Sequence, residues 1–200
     1  MSTRRQQILQ VFAEQLQHCP GEHITTAALA RAVGVSEAAL YKHFNNKAQM
    51  FDGLLDFVED ALFKLIDHSL AQPISIQLRC KNVIMIALSF ADKNPGIARL
   101  LNADILTGEQ SYLRTRVSLL FNRMEVRLTN ALTQAKQLGE IDINSPEAIA
   151  NLFVSFIEGR INQFVRSGFQ QSPLTHWKQQ WGLLNRALQT QLYPAPERTH

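Results

Sequence analysis

Residues 24–55 read ITTAALARAVGVSEAALYKHFNNKAQMFDGLL, and the polar side chains of this stretch have the types and spacing of a surface that meets a polyanion. Thr25 and Thr26 place hydroxyls at the head of one short helix, and Ser36 does the same for a second. Glu37, Ala38 and Ala39 give the second helix a slim start that can approach base edges without a bulky clash. Tyr41, Lys42 and His43 follow with a hydroxyl, an ammonium and an imidazole. Asn46 and Lys47 open a third helix, whose unpaired N–H groups favour an anion such as phosphate. Phosphate contacts of this kind fix position and orientation, while base-edge contacts set sequence preference.

The elements that must hold these groups are legible around them. Thr25 or Thr26 can cap the first helix, because a Thr hydroxyl accepts from the free N–H groups of an opening turn. Ala30 is small where two helices would cross, and Gly34 supplies the backbone freedom that ends the helix. Val35 anchors the turn, Ser36 caps the next helix, and Ala39, Leu40 and Phe44 recur at helical spacing. This is the build of a helix-turn-helix, which lays its second helix in the DNA major groove. An ordinary helical hairpin would share the apolar spacing but has no need of the slender, polar second helix.

The segment resembles the DNA-binding domain of the TetR family in its GVS turn, its ALYKHF helix and the Asn-Lys start of a long helix. Outside that domain, MFDGLLDFVEDAL (50–62), KNPGIARLL (93–101), and FVRSGF (164–169) with Trp177 resemble the nucleoid occlusion factors of the same family. The resemblance implies an all-α, nine-helix architecture with an N-terminal helix-turn-helix and a C-terminal helical dimerisation domain. It also implies a role in stopping cell division over the chromosome.

Composition fits a folded helical protein. Of 200 residues, 46% are hydrophobic and 18% charged, which argues against a disordered chain. The net charge of +3 is mild. Residues 1–50 hold five Lys or Arg against three Glu, so most of the basic excess lies with the helix-turn-helix and supports a modest, salt-sensitive DNA affinity. Cys19 and Cys80 are too few for a disulfide framework or a zinc site and read as reduced thiols. Met1–Gln10 is polar rather than a signal peptide, and the apolar run 83–91 is too short to cross a membrane. A cytoplasmic, nucleoid-associated protein with no membrane partner is expected.

Helical periodicity is nearly continuous. It predicts a helix over 3–18 with Ile8, Leu9, Phe12, Ala13 and Leu16 on one face, ended by Pro20-Gly21. Further helices are expected over about 46–71, 74–92, a short piece through Leu101, 109–138 and 146–167, with a loop around Thr107-Gly108. A last helix is expected from Pro173 to about Tyr193. Domains are expected at 1–50 for DNA binding and 51–193 for dimerisation and partner binding, with a frayed tail over 194–200.

Two faces are candidates for assembly. Trp177, Trp181, Leu184 and Leu188 share a stripe, and Leu152, Phe153, Phe156, Ile157, Phe164 and Val165 make the preceding helix widely apolar. Part of both stripes must be core. A helix-turn-helix protein reads palindromic double-stranded DNA as a symmetric dimer, so Phe156, Phe164, Trp177, Trp181, Leu184 and Leu188 are the expected homodimer contacts. On the helix over 46–71, Phe51, Leu54, Leu55, Val58, Leu62, Leu65 and Ile66 form the expected buried stripe. Phe57 lies about 120° away, near Lys64 and Asp60. Two readings stand side by side: a docking site for an acidic peptide, or packing under a neighbouring helix or at the dimer contact.

The resemblance assigns this helix and the next to docking the C-terminal tail of the tubulin-like division GTPase. Phe57 matches the family pattern, Ile86 falls at an aliphatic position, and Lys93 keeps a positive charge before the Asn94 turn. With Lys64, these are the expected partner-binding residues. Leu65 and Ser89 depart from the pattern, standing where an Arg and a Gly are expected.

A ligand-responsive TetR-type repressor is the competing function. It would need a pocket within the helices between Ala71 and Ser167, which Asn82, Met85 and Ser89 could line, although residues 83–91 are apolar on nearly every face. An enzyme fits poorly. His18, His23, His43, His68, His176 and His200 lack metal-ligand spacing, no Gly-rich phosphate loop appears, and no Ser or Cys has a nucleophile's setting. No cofactor, metal or catalytic residue is expected.

Overall fold

A computed structural model describes residues 3–18, 24–106 and 111–189. Among these residues there are nine α-helices and no strand, the architecture expected. They are α1 (Thr3–His18), α2 (Thr26–Val33), α3 (Glu37–Tyr41), α4 (Lys47–Leu70), α5 (Ile76–Lys93), α6 (Pro95–Asn102), α7 (Ser111–Gln137), α8 (Pro146–Arg166) and α9 (Trp177–Leu184). Short 3₁₀ turns follow α6 at Asp104–Leu106 and α9 at Asn185–Leu188. Pro20-Gly21, Thr107-Gly108, Cys19, His23, Tyr193 and the tail over 194–200 lie outside the described residues.

Helix starts follow their caps. Thr25, Ser36, Asn46, Ser75 and Ser145 each accept from a backbone N–H three residues on, which satisfies a donor the helix itself leaves unpaired. Pro146 sits in the first turn of α8, where its missing N–H costs nothing.

The recognition unit is tied to the body through α1 and α4. Ile8, Phe12 and Leu16 of α1 are buried, and the Phe12 ring lies 5.0 Å from that of Phe51 on α4. α4 then runs unbroken across residue 50, so the expected domain boundary falls inside one helix. α6 crosses α1 so closely that a Cβ on Gly96 would sit 1.9 Å from the Ala13 carbonyl oxygen. Arg99 of α6 is buried there. It donates to the Leu16 carbonyl at 2.9 Å and stacks 4.9 Å from the Phe169 ring, joining the end of α1 to the turn after α8. In the body α5 packs between α4 and α8, and α7 lies against α4 and α8.

Three expectations need correction. Leu65 is 50% exposed rather than part of the buried stripe, whereas Phe63 is buried. α7 covers the flank of α4 that carries Phe63, and this moves the buried stripe away from Leu65. Met85 is exposed and faces away from the interior, while Val83, Ile84, Ala87, Leu88 and Ala91 fill it. The last helix begins at Trp177, not at Pro173. Arg160 of α8 donates to the carbonyls of Pro173, Ser172 and Thr175, holding this stretch in turns. His176 then adopts φ 63°, a left-handed conformation at the head of α9.

Candidate nucleic-acid interface and docking groove

The helix-turn-helix is built by local hydrogen bonds. The Thr25 hydroxyl accepts from Ala28 N–H at 3.1 Å, so Thr25 is the cap and Thr26 is free for another task. Thr26 donates to the Glu37 carboxylate at 3.2 Å and accepts from the Tyr41 hydroxyl at 3.4 Å. This links the head of α2 to both ends of α3 and orients three of the expected DNA-facing side chains against one another. Gly34 takes φ 74°, and its N–H and that of Val35 close the end of α2. Ser36 accepts from Ala39 N–H at 3.2 Å.

α3 is only five residues long, so Lys42 and His43 lie in the turn beyond it rather than on the helix. Leu40 and Phe44 are buried beneath that turn. Ser36, Glu37, Ala38, Tyr41, Lys42 and His43 are exposed together, with Ala39 half-buried behind them. At the head of α4, Asn46 accepts from Gln49 N–H and the Gln49 side chain accepts from Asn45 N–H, both at 2.9 Å. Lys47 is half-buried, its ammonium 5.7 Å from the Phe51 ring centre. Arg5 of α1, absent from the expected set, stacks 4.9 Å from Phe44 under the recognition turn. Stacking of this kind leaves no periodic mark in the sequence.

A groove of about 830 Å³ opens between α1, α4 and the start of α6. Phe57, Asp60, Ala61 and Lys64 line it from α4, and Lys93, Asn94 and Pro95 line it from the α5–α6 junction. Gln10, Ala13, Glu14 and Gln17 of α1 close the third side, which sequence reasoning missed because the outer face of α1 reads as plain solvated surface. Phe57 is 50% exposed, with its ring 6.4 Å from that of Phe90. Asn94 donates to the Phe90 carbonyl at 2.8 Å. Four of the five expected docking residues therefore share one groove. Ile86 does not line it and lies half-buried against the core of α5.

The expected dimer contacts divide. Phe156 and Trp177 stack at 6.1 Å, Trp177 and Trp181 at 5.8 Å, and all three are half-exposed, as is Leu184. Phe164 and Leu188 are only 3% and 2% exposed within the single chain, so they support this face from below rather than present it. Leu152 and Leu183, 45% and 64% exposed, offer the apolar surface instead.

Among the described residues no group of His, Cys, Asp or Glu could hold a metal ion, and no helix is long and apolar enough to cross a membrane. Cys80 is buried, and burial pushes its thiol up to about 12 despite neighbouring Arg79, which disfavours the thiolate.

A helix-turn-helix on an all-helical body defines a class. Residues 9–54 match the bacterial regulatory proteins of the tetR family, and residues 75–189 match the tetracyclin repressor-like C-terminal domain of the SlmA-like type. The chain belongs to the TetR family, in the branch of the nucleoid occlusion factors. It is 45% identical over 186 residues to the nucleoid occlusion factor SlmA of Shewanella frigidimarina, covering 92% of this chain and 94% of that one. It is 46% identical over 181 residues to the SlmA of Alteromonas mediterranea, covering 90% and 93%. The fold is shared with a TetR regulator from Haloarcula marismortui (TM-score 0.79, 17% identity, 95% of this chain and all of that one). It is also shared with FadR of Bacillus subtilis, solved with stearoyl-CoA (TM-score 0.78, 16% identity, 91% and 98%).

Proposed function

We propose that this chain is a nucleoid occlusion factor. A homodimer sits on palindromic double-stranded DNA in the cytoplasm and blocks division-ring assembly over the chromosome. It does so by holding the C-terminal tail of the tubulin-like division GTPase in the groove beside Phe57, without catalysis or a cofactor. The observation that carries this reading is the likeness to the nucleoid occlusion factors over nine-tenths of the chain, body as well as helix-turn-helix.

The chemistry of the groove supports it. An aromatic ring left half in water, in a groove that Lys64 and Lys93 share with Glu14 and Asp60, suits a peptide with one apolar anchor and an acidic end that meets the lysines. The groove also takes residues from α1, so its occupant touches the element that carries the recognition unit. A ligand-responsive repressor would instead need space between α5, α7 and α8, where Val83, Ile84, Leu88, Leu128 and Phe153 are packed as core.

Fluorescence anisotropy of a labelled peptide bearing that tail tests the docking step. The wild-type protein is expected to bind it saturably. Phe57→Ala should weaken binding by about thirtyfold, the effect of losing an anchor residue, with DNA affinity and thermal melting unchanged. A Phe57→Ala protein that holds the peptide as tightly as wild type would remove the groove from the account.

A further inference from the structure

The seam between α4 and α7 belongs neither to the DNA-facing surface nor to the groove, yet among the described residues it holds five of the six ion pairs between side chains that the structure shows. Asp52, Asp56 and Glu59 recur at helical spacing on the flank of α4 that meets α7. Arg116 of α7 reaches all three, at 2.8 Å to Asp52, 2.9 Å to Asp56 and 3.0 Å to Glu59. Burial works against the Arg116 charge, but these hydrogen bonds outweigh it and hold its pKa above the ordinary arginine range. Tyr112 donates to Asp52 at 2.6 Å, and Arg123 takes the second oxygen of Glu59. Farther along, Arg127 grips Asp67 at 2.6 Å, and Arg123 and Arg127 both stack on the Phe63 ring, at 4.4 and 4.2 Å.

We propose that Arg116 is a positioning residue for DNA recognition. It pins the first half of α4 to α7 of the same protomer, and so sets the separation of the two recognition helices in the dimer. The inference rests on the reading of the chain as a dimer on palindromic DNA. Its geometry is direct. α4 starts at the residue next to its cap, Asn46, just beyond the recognition turn, and Asp52 lies in its second turn. The 24 residues of α4 span about 36 Å, so a tilt of about 5° about the far end moves the first turn by about 3 Å. That is close to one base-pair step of about 3.4 Å.

The apolar stripe of α4 sets how it packs on its neighbours, but hydrophobic attraction is itself non-directional and fixes an angle less sharply than aligned polar contacts do. A guanidinium forked onto three carboxylates does, since charge-assisted hydrogen bonds are short and demand alignment. A single exposed ion pair would contribute little, but Arg116 is three-quarters buried at the centre of a network.

The test uses the full-length dimer and the palindrome it selects from a random DNA pool. A series of duplexes carries that palindrome with one or two base pairs added or removed at its centre. The wild-type protein is expected to lose affinity steeply at each change of spacing. Arg116→Gln should bind the selected palindrome about tenfold more weakly, with a flattened spacing profile and unchanged affinity for unrelated DNA. Arg116→Lys, which restores the charge, should recover part of the profile. Asp56→Asn removes one half-exposed arm of the fork, so it should flatten the profile less and keeps the test open if Arg116→Gln does not fold.

An Arg116→Gln profile as sharp as wild type, or an equal loss on every DNA, would overturn the positioning role. A wild-type protein that selects no palindrome would instead remove the dimer reading beneath it.

Discussion

Thr26 shows how a side chain can change roles once its neighbours are fixed. Both Thr25 and Thr26 are suitable caps by type, and only the backbone path decides that Thr25 takes the task. Thr26 then bridges Glu37 and Tyr41, a link made across the turn that no local pattern announces. The cap Ser36 is legible in the sequence because capping is a short-range property of residue type and position. Lys47 lies between these cases, next to the cap of α4 and against the Phe51 ring. Replacing Lys47 by Ala should weaken binding to all DNA sequences alike and reduce the slope of log affinity against log salt by about 1, measured by titration at several salt concentrations. An unchanged slope would mean that its ammonium does not meet a phosphate.

Element boundaries follow the same division between local and distant causes. α2, α4 and α8 begin where Thr25, Asn46 and Ser145 with Pro146 place them, and α2 ends at Gly34. Leu65 was misread because a 3.6-residue period fixes which residues share a face but not how wide a face the neighbours cover. α7 decides that, through Arg123 and Arg127 over Phe63, about 60 residues along the chain. The head of α9 was misread for a similar reason, since Pro173 suits both a helix start and a turn, and Arg160 selects the turn.

The α1–α6 crossing was not visible at all, because Gly96 behind Pro95 looks like an ordinary breaker. Gly96→Ala should lower unfolding free energy by about 1–3 kcal/mol or more in denaturant titration, because backbone rather than a pliable side chain occupies the space. A Gly96→Ala protein as stable as wild type would show that α1 and α6 can separate at no cost.

At the scale of the molecule, the apolar face of α8 and α9 carries the proposed dimer. Phe156 and Trp177 form its stacked centre, and Leu152 and Leu183 extend it into solvent. Leu152→Asp should yield a folded monomer in analytical ultracentrifugation, since an exposed leucine adds little to the single chain and a buried aspartate at the contact would be costly. A Leu152→Asp protein that stays dimeric would move the interface elsewhere.

Glu158 of the same helix adds a pH signature. Partial burial, and then the Glu125 charge, push its carboxyl above the ordinary glutamate range. An acid raised on folding favours the fold when protonated, so its contribution is present at low pH and is lost as pH rises through the folded value. Glu158→Gln should therefore raise the melting temperature at pH 7 and leave it unchanged near pH 3. A lower melting temperature at pH 7 would mean that the ionised carboxylate has a partner.

A nucleoid occlusion factor marks the chromosome for the division machinery, whereas a conventional repressor governs one promoter. Crosslinking, capture and sequencing of the bound DNA in growing cells measures this directly. Many dispersed palindromic sites are expected, sparse around the replication terminus and mostly away from promoters. One or a few sites at a promoter beside the protein's own gene would contradict nucleoid occlusion and describe a conventional repressor.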